Sequence, residues 1–265
     1  MTTPPGADPH LPARLRAQSV IRDGEERIGR SWWRSMTRYL DRIRPAVTAD
    51  GRVDPARVSD HNQYWTEQVD QEIVPTIGGV LADAWHRVTN QGRPQTDPWT
   101  STYLNDVGNR LVRIPDEVYA LVVIEIERGI TEGLELPKVT AAVDAILTTT
   151  GSERWTNRAR TIARTETMGA VNAGVWRAAA LEAERSGDPA PFKQWISTDD
   201  KRTRPTHTAA DQQRTLLGEP FRVGTAQLLF PGDPRGPAGE VINCRCTMLP
   251  VVLGDVIDWT ERQNP

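Results

Sequence analysis

The chain has 265 residues, two cysteines and a formal net charge of -3, and charged side chains make up 25% of it. That composition excludes disorder throughout, and the slight acidity excludes a protein coated all round with positive charge for wrapping nucleic acid. The longest apolar run, Val118 to Ile124, is too short to span a bilayer, so no membrane is expected among the partners.

Residues 1–12 hold four prolines and read as a mobile tail, with neither the basic cluster nor the apolar core of a secretory signal. Beyond them Ile21, Ile28, Trp32, Met36 and Leu40 recur at one or two helical turns, which predicts an amphipathic helix. Nine arginines stand against four acids from Leu11 to Arg44. Because the acids are interspersed, a solvated helix face is the preferred reading, and contact with packaged DNA is the alternative. Trp32, Trp33 and Tyr39 are large side chains with little nearby to cover them, so they are expected to bury against a partner chain.

A second helical stretch is predicted from Asn62 to Val88, interrupted near Pro75 and Gly78-Gly79, followed by a loop over Asn90 to Thr100. Two more helices open on prolines, one from Pro115 to Gly129 and one from Pro137 to Leu147. A long helix is capped by Ser152 or Asn157 and ends by Ser186-Gly187. Trp155, Ala159, Ile162, Gly169, Ala173, Trp176 and Ala180 fall in one sector of it, with Glu166 in the middle. A carboxylate so placed needs compensation, expected from an arginine of the 200–205 loop or from Arg245. Short strands are then predicted at Phe192 to Ser197, Phe221 to Val223, Gln227 to Phe230 and Val241 to Leu253. The fold class is therefore α+β. It comprises an elongated helical arm over residues 13–150, then a C-terminal domain over 151–265 of one long helix and short antiparallel strands.

The order of several motifs carries a resemblance. Ile162-Ala163-Arg164-Thr165-Glu166 is followed by Asn172 and by Trp195-Ile196-Ser197. Asp200-Lys201-Arg202-Thr203-Arg204 with His207, Phe230-Pro231-Gly232-Asp233-Pro234 and Glu240-Val241-Ile242-Asn243-Cys244-Arg245-Cys246 complete the series. Together these residues resemble the phage Mu F-like, or head morphogenesis, domain, over about the last 110 residues. The resemblance implies a minor capsid protein of a tailed phage, present in few copies inside the virion head near the portal and assembled in the host cytoplasm. Its implied partners are the portal protein, the major capsid protein and other copies of itself, and its implied role is structural rather than enzymatic.

A strand from Val241 would turn Ile242, Cys244, Cys246 and Met248 to one face. Thiols two apart on a strand stand too far apart for a disulfide. They could bind zinc with His207, with Asp200, Glu240 or water completing a tetrahedron. The apolar neighbours favour core thiols instead, with His207 remote from both. Arg164, Glu166, Asn172, Asp200, Arg202, Arg204, Glu240, Asn243 and Arg245 are read as a structural polar cluster in which Arg202 or Arg204 meets Glu166 and Asp200 meets Arg164 or Arg245. The enzymatic rival is a metal-dependent hydrolase or nuclease using His207, Asp200 and Glu166.

Overall fold

The computed structural model describes residues 11–49, 52–89, 92, 97–198, 200–252 and 255–256, with the side chains of 11–18, 255 and 256 excepted. Of the tail expected over residues 1–12, only Leu11 and Pro12 are described, and they open the first helix. The helices are α1 Leu11–Val47, α2 Asn62–Gln68, α3 Val74–Thr89, α4 Pro98–Leu111, α5 Ile114–Thr131, α6 Leu136–Ile146, α7 Glu153–Ser186, α8 Pro205–Ala209 and α9 Ala238–Val241. The strands are β1 Phe192–Ile196, β2 Arg214–Leu216, β3 Phe221–Val223, β4 Ala226–Leu228, β5 Thr247–Val252 and β6 Asp255–Val256. The fold is α+β, a long helical N-terminal region followed by antiparallel strands. Its two compact units each draw on both sides of residue 150: one comprises Met1–Ile28, Ile77–Leu104 and Thr161–Pro265, the other Gly29–Thr76 and Asn105–Arg160.

The second unit is all helical. Trp32, Met36, Tyr39, Leu40, Ile43 and Val47 of α1 are fully buried in it, as are Trp65, Val69 and Ile73. Trp32 packs on Trp155 with ring centroids 6.5 Å apart, and Tyr39 meets the edge of Trp65 at 5.4 Å. The indole nitrogens of Trp65 and Trp155 donate to the carbonyls of Leu111 (2.9 Å) and Ile146 (2.8 Å), which removes the cost of burying those groups. This corrects the expectation that Trp32 and Tyr39 bury against a partner: they are core of their own chain, and Trp33 is half-buried. Four arginines of α1 also find local partners. Arg38 pairs with Glu72 at 3.4 Å, Arg44 with Asp144 at 2.6 Å, Arg42 lies 4.6 Å over the Tyr64 ring, and in the other unit Arg27 pairs with Asp23 at 3.2 Å and Asp83 at 2.5 Å.

The helix expected over 62–88 is not broken at Pro75 or at the glycine pair. The irregularity lies upstream, in a π-helical turn over Val69–Ile73. A proline inside a helix displaces the carbonyl four residues back, and a widened turn makes room for it. The nearby Glu72 carbonyl accepts the hydroxyls of Ser31 (3.1 Å) and Thr76 (2.7 Å). The expected loop over 90–100 ends early, because Asp97 caps α4: Thr100 N donates to its Oδ2 at 3.1 Å, with Pro98 in the first turn.

In the first unit α7 is the central element. Residues 165–176 are buried on every face, not along the single predicted stripe. Small residues make this encirclement possible. A Cβ on Gly174 would lie 2.5 Å from the Leu81 carbonyl oxygen of α3, so only glycine lets the two helices approach this closely. Trp176 meets Trp99 at 4.8 Å and Phe230 at 6.4 Å, and its indole nitrogen donates to the Leu217 carbonyl at 2.8 Å.

The strands of this unit form an antiparallel sheet in the order β2-β1-β5-β6 and a separate β3-β4 hairpin. In register, Trp195 faces Met248 and Phe192 lies between Leu216 and Val251. The strand expected from Val241 to Leu253 begins only at Thr247. Val241 ends α9, and Asn243 turns the chain with a φ of 57°, a left-handed conformation that asparagine tolerates better than most residues.

Candidate functional site: loops pinned to the long helix around a thiol and imidazole cluster

Two loops of the first unit are held on α7 by named side chains, and a third is fastened to one of them. Asn172, buried on α7, donates from Nδ2 to the Pro231 carbonyl (2.9 Å) and to the Cys246 carbonyl (3.0 Å). One amide thus ties the Phe230-Pro231-Gly232-Asp233 turn and the cysteine loop to the same helix. About two turns earlier, Thr165 Oγ1 accepts from the Asn243 amide at 3.0 Å, which holds the left-handed residue in place. The proline turn comes close because both partners lack side chains: a Cβ on Gly169 would meet the Gly232 carbonyl oxygen at 3.0 Å. Inside the turn, buried Asp233 accepts from the Leu229 amide (3.0 Å) and the Arg235 amide (3.1 Å).

The 198–207 segment is fastened to the cysteine loop. Arg245 reaches Asp200 bidentately, with Nη2 to Oδ1 at 2.7 Å, and the guanidinium holds the Asp200 carboxyl well below the usual range. Arg202 lies 3.6 Å from the same carboxylate. Thr198 Oγ1 donates to the Arg245 carbonyl at 2.8 Å, and Arg204 donates to the Ile242 carbonyl. Of the two partners expected for Asp200, Arg245 is the one observed. Arg164 instead pairs with Glu25 at 3.5 Å. Glu166 is buried as its helical phase requires, and it is partnered.

The cysteines and His207 come together. Although residues 242–246 form a turn and not a strand, Cys244, Cys246 and His207 are all buried, and their ligand atoms lie within 4.8 Å of one another. His207 Nδ1 is 3.3 Å from Cys246 Sγ and 3.8 Å from Cys244 Sγ. The expectation that core thiols would leave His207 remote is therefore corrected. The thiols are core and the imidazole is beside them, because α8 carries His207 onto the cysteine loop. The other ring nitrogen, Nε2, lies 3.0 Å from Glu240 Oε2, which also accepts from Thr206 Oγ1 at 2.9 Å. Glu240 thus stands behind the ring, on the side away from the sulfurs, and Asp200 is occupied by arginine. The edge of the Trp195 ring covers the imidazole at 5.5 Å. The bond between the two thiols, helped by the contact with His207, pulls Cys246 below the ordinary thiol range, while that same bond and burial push Cys244 up.

Two buried charges escaped the sequence. Lys193 on β1 is fully buried, donating to the carbonyls of Leu217 (2.9 Å) and Leu229 (2.6 Å), and burial pulls its pKa down to about 7 against the opposing charges of Asp233 and Glu219. Asp97 is bound by Arg177, with Nη2 to Oδ1 at 3.0 Å. Burial opposes its ionisation, yet the bonds from Thr100 and Arg177 outweigh that and keep its pKa below the ordinary value. Asp97-Pro98 followed by Trp99, Tyr103, Val107 and Leu111 at four-residue spacing was the available signal for α4 and its cap. Lys193 gave none.

Residues 122–249, which include every one of these loops, match the family described as Phage Mu protein F like protein. The match to this family lies in the C-terminal part of the chain. The Mu F-like segment thus begins within α5 and closes in β5, so its boundary is earlier than the 110-residue resemblance in the sequence. Among curated proteins, the chain is 29% identical over 111 residues to the uncharacterized protein YqbB of Bacillus subtilis, covering 40% of this chain and 35% of that one. It is 30% identical over 148 residues to the NAD(+)--arginine ADP-ribosyltransferase EFV of Enterococcus faecalis, covering 56% of this chain and 29% of that one. The chain therefore spans about a third of the length of the curated relatives it matches. No solved structure matches.

Proposed function

We propose that the chain is a minor head protein of a tailed phage, acting in the head interior at the portal vertex during assembly and genome packaging or delivery. The observation that carries this reading is the family match over residues 122–249, a phage head morphogenesis family. The way the segment is built agrees with it. Its polar side chains are engaged in fastening loops to α7 and to one another: Asn172 on two carbonyls, Arg245 on Asp200, Arg204 on a carbonyl. Groups occupied in this way serve rigidity, which a docking module requires.

The portal protein, the major capsid protein and other copies of the chain are its proposed partners. With Trp32 and Tyr39 in the core, the contact surface passes to α5 and α6, where Tyr119, Ile130 and Leu136 are exposed. Tyr119 and Ile130 lie within about 20° of each other around the helix axis, since each residue advances it by about 100°. Leu136 also lines a groove with Pro137, Thr140, Ala141 and Asp144. We assign this face to the portal protein. The arginine pairs on α1 argue against a DNA-binding arm, because part of that charge is already matched. The transferase named among the relatives is covered over less than a third of its length, and its activity does not enter this reading.

The test is composition of purified heads with and without the Mu F-like segment. The chain should co-purify with portal and capsid proteins, and exposed-face changes such as Ile130→Asp with Leu136→Asp should remove it from heads while the isolated chain stays folded. Retention of the folded double variant in heads at the wild-type level would move the contact elsewhere.

A further inference from the structure

We infer that Cys244, Cys246 and His207 form a zinc site, which binds one divalent zinc ion through both sulfurs and the imidazole Nδ1 and staples α8 to the loop that leads into β5. The first ground is geometric. Zinc bonds of about 2.3 Å to sulfur and about 2.1 Å to nitrogen, at tetrahedral angles, place the nitrogen about 3.6 Å from each sulfur. The observed separations are 3.3 Å to Cys246 and 3.8 Å to Cys244, on either side of that value. The nitrogen–sulfur separations therefore need adjustments of only a few tenths of an ångström, and the two sulfurs lie within 4.8 Å of each other, where one ion requires about 3.8 Å.

The second ground is the orientation of the ring. With Glu240 Oε2 3.0 Å from Nε2, the neutral imidazole donates its N–H to the carboxylate on that side, and the Thr206 hydroxyl holds that carboxylate. Nδ1 is then the bare nitrogen, and it is the one aimed at the sulfurs. A carboxylate behind a metal-bound histidine fixes the tautomer and ring plane and strengthens the donor. Without a metal the thiols are satisfied only as a relay, Cys244 to Cys246 and Cys246 to Nδ1, although both sulfurs stand within reach of the same nitrogen. Two sulfurs directed at a single nitrogen are what a shared cation explains.

The third ground is the surroundings. Cys244, Cys246 and His207 are themselves buried and the Trp195 ring packs against the imidazole, so the thiolate–zinc bonds would be sheltered from solvent. Binding releases the two thiol protons and leaves the pair of thiolate charges balanced by the ion. The three side chains leave one tetrahedral position to a further donor. That position makes the site distinct from a closed four-ligand cage, and the burial of the cluster assigns the ion a structural rather than a catalytic task.

The same atoms have a competing use: a Cys246 nucleophile, with His207 as its base and Glu240 orienting the ring. One experiment separates the two. The full chain is purified without chelator, its metal content is measured by elemental analysis, and the metal-stripped chain is titrated with cobalt(II). The expected result is about one zinc per chain and an intense sulfur-to-cobalt charge-transfer band in the near ultraviolet at one equivalent. Glu240→Gln should weaken zinc binding about 10- to 100-fold with the fold unchanged by circular dichroism. Zinc content that persists in a folded Cys244→Ser, Cys246→Ser variant would overturn the assignment. So would a folded native chain with no zinc and no cobalt–thiolate band, or stoichiometric alkylation of Cys246 by iodoacetamide in the zinc-supplemented chain, which would mark a nucleophile.

Discussion

Replacing Asn172 by Ala should cost the isolated chain about 2 to 5 kcal/mol. Each of the two carbonyls that lose the Nδ2 donor carries a desolvation penalty of about 1 to 3 kcal/mol. The side chain is 1% exposed, so solvent does not replace the lost bonds at once, and the two acceptors belong to different loops. The substitution should therefore loosen both the proline turn and the cysteine loop. Asn172→Asp is the sharper variant because it keeps the shape and removes the donor. An ionised carboxylate facing two carbonyl oxygens is repelled, so its folded-state pKa must rise above the unfolded value of about 3.9. Protonation of the introduced carboxyl would restore one donor, and that stability is present below the unfolded pKa and lost as pH rises through the folded one. Urea denaturation followed by tryptophan fluorescence, at acid and neutral pH, reads both effects. A loss below about 1 kcal/mol for Asn172→Ala, or an Asn172→Asp deficit that does not grow with pH, would refute the reasoning.

Three further outcomes are expected. Trp32→Ala should destabilise the isolated chain by about 3 to 5 kcal/mol in thermal or urea unfolding, because the side chain is core; an unchanged isolated chain that fails only in assembly would restore the docking-arm reading. Asp97→Ala should cost about 2 to 5 kcal/mol in the same assay, because it removes the bonds to half-buried Arg177, which keeps only Glu184 at 3.8 Å, and uncaps α4; a cost near that of an exposed ion pair, under about 1 kcal/mol, would show the pair to be solvated. Lys193 has its pKa pulled down to about 7 by burial, so the unfolded chain binds more protons above that pH, and stability due to this group rises with pH between about 7 and about 10.4. Lys193→Met should remove a slope of up to about 1.4 kcal/mol per pH unit, and parallel wild-type and variant profiles across that window would refute it.

Much of the C-terminal fold was legible because its signals are local. α7 is bounded by a serine before it and by Gly187 and two prolines after it, and β1 and β3 are short segments with aromatic and β-branched residues between turn residues. The phase of α7 correctly buried Glu166. What failed was information carried by distant residues or by backbone. The sequence offered no cover for Trp32 and Tyr39, since their partners Trp155 and Trp65 lie far along the chain. Val241 to Met248 alternates like a strand, but the left-handed turn at Asn243 leaves no mark in a hydrophobic pattern. The two cysteines do face one way, for a reason other than the pleat. His207 joined them through α8, a contact that residue spacing cannot specify. Burial of Lys193 depends on two carbonyls, of Leu217 and Leu229, that only the folded chain brings to its ammonium group.

The central claim, that this is a head protein held at the portal vertex, is tested most directly by a side-chain-resolution map of purified heads. The account predicts density for the chain inside the head in contact with the portal protein, with Tyr119, Ile130 and Leu136 of α5 and α6 covered by it. Heads that are complete, contain portal and carry no density or peptide of this chain would contradict it.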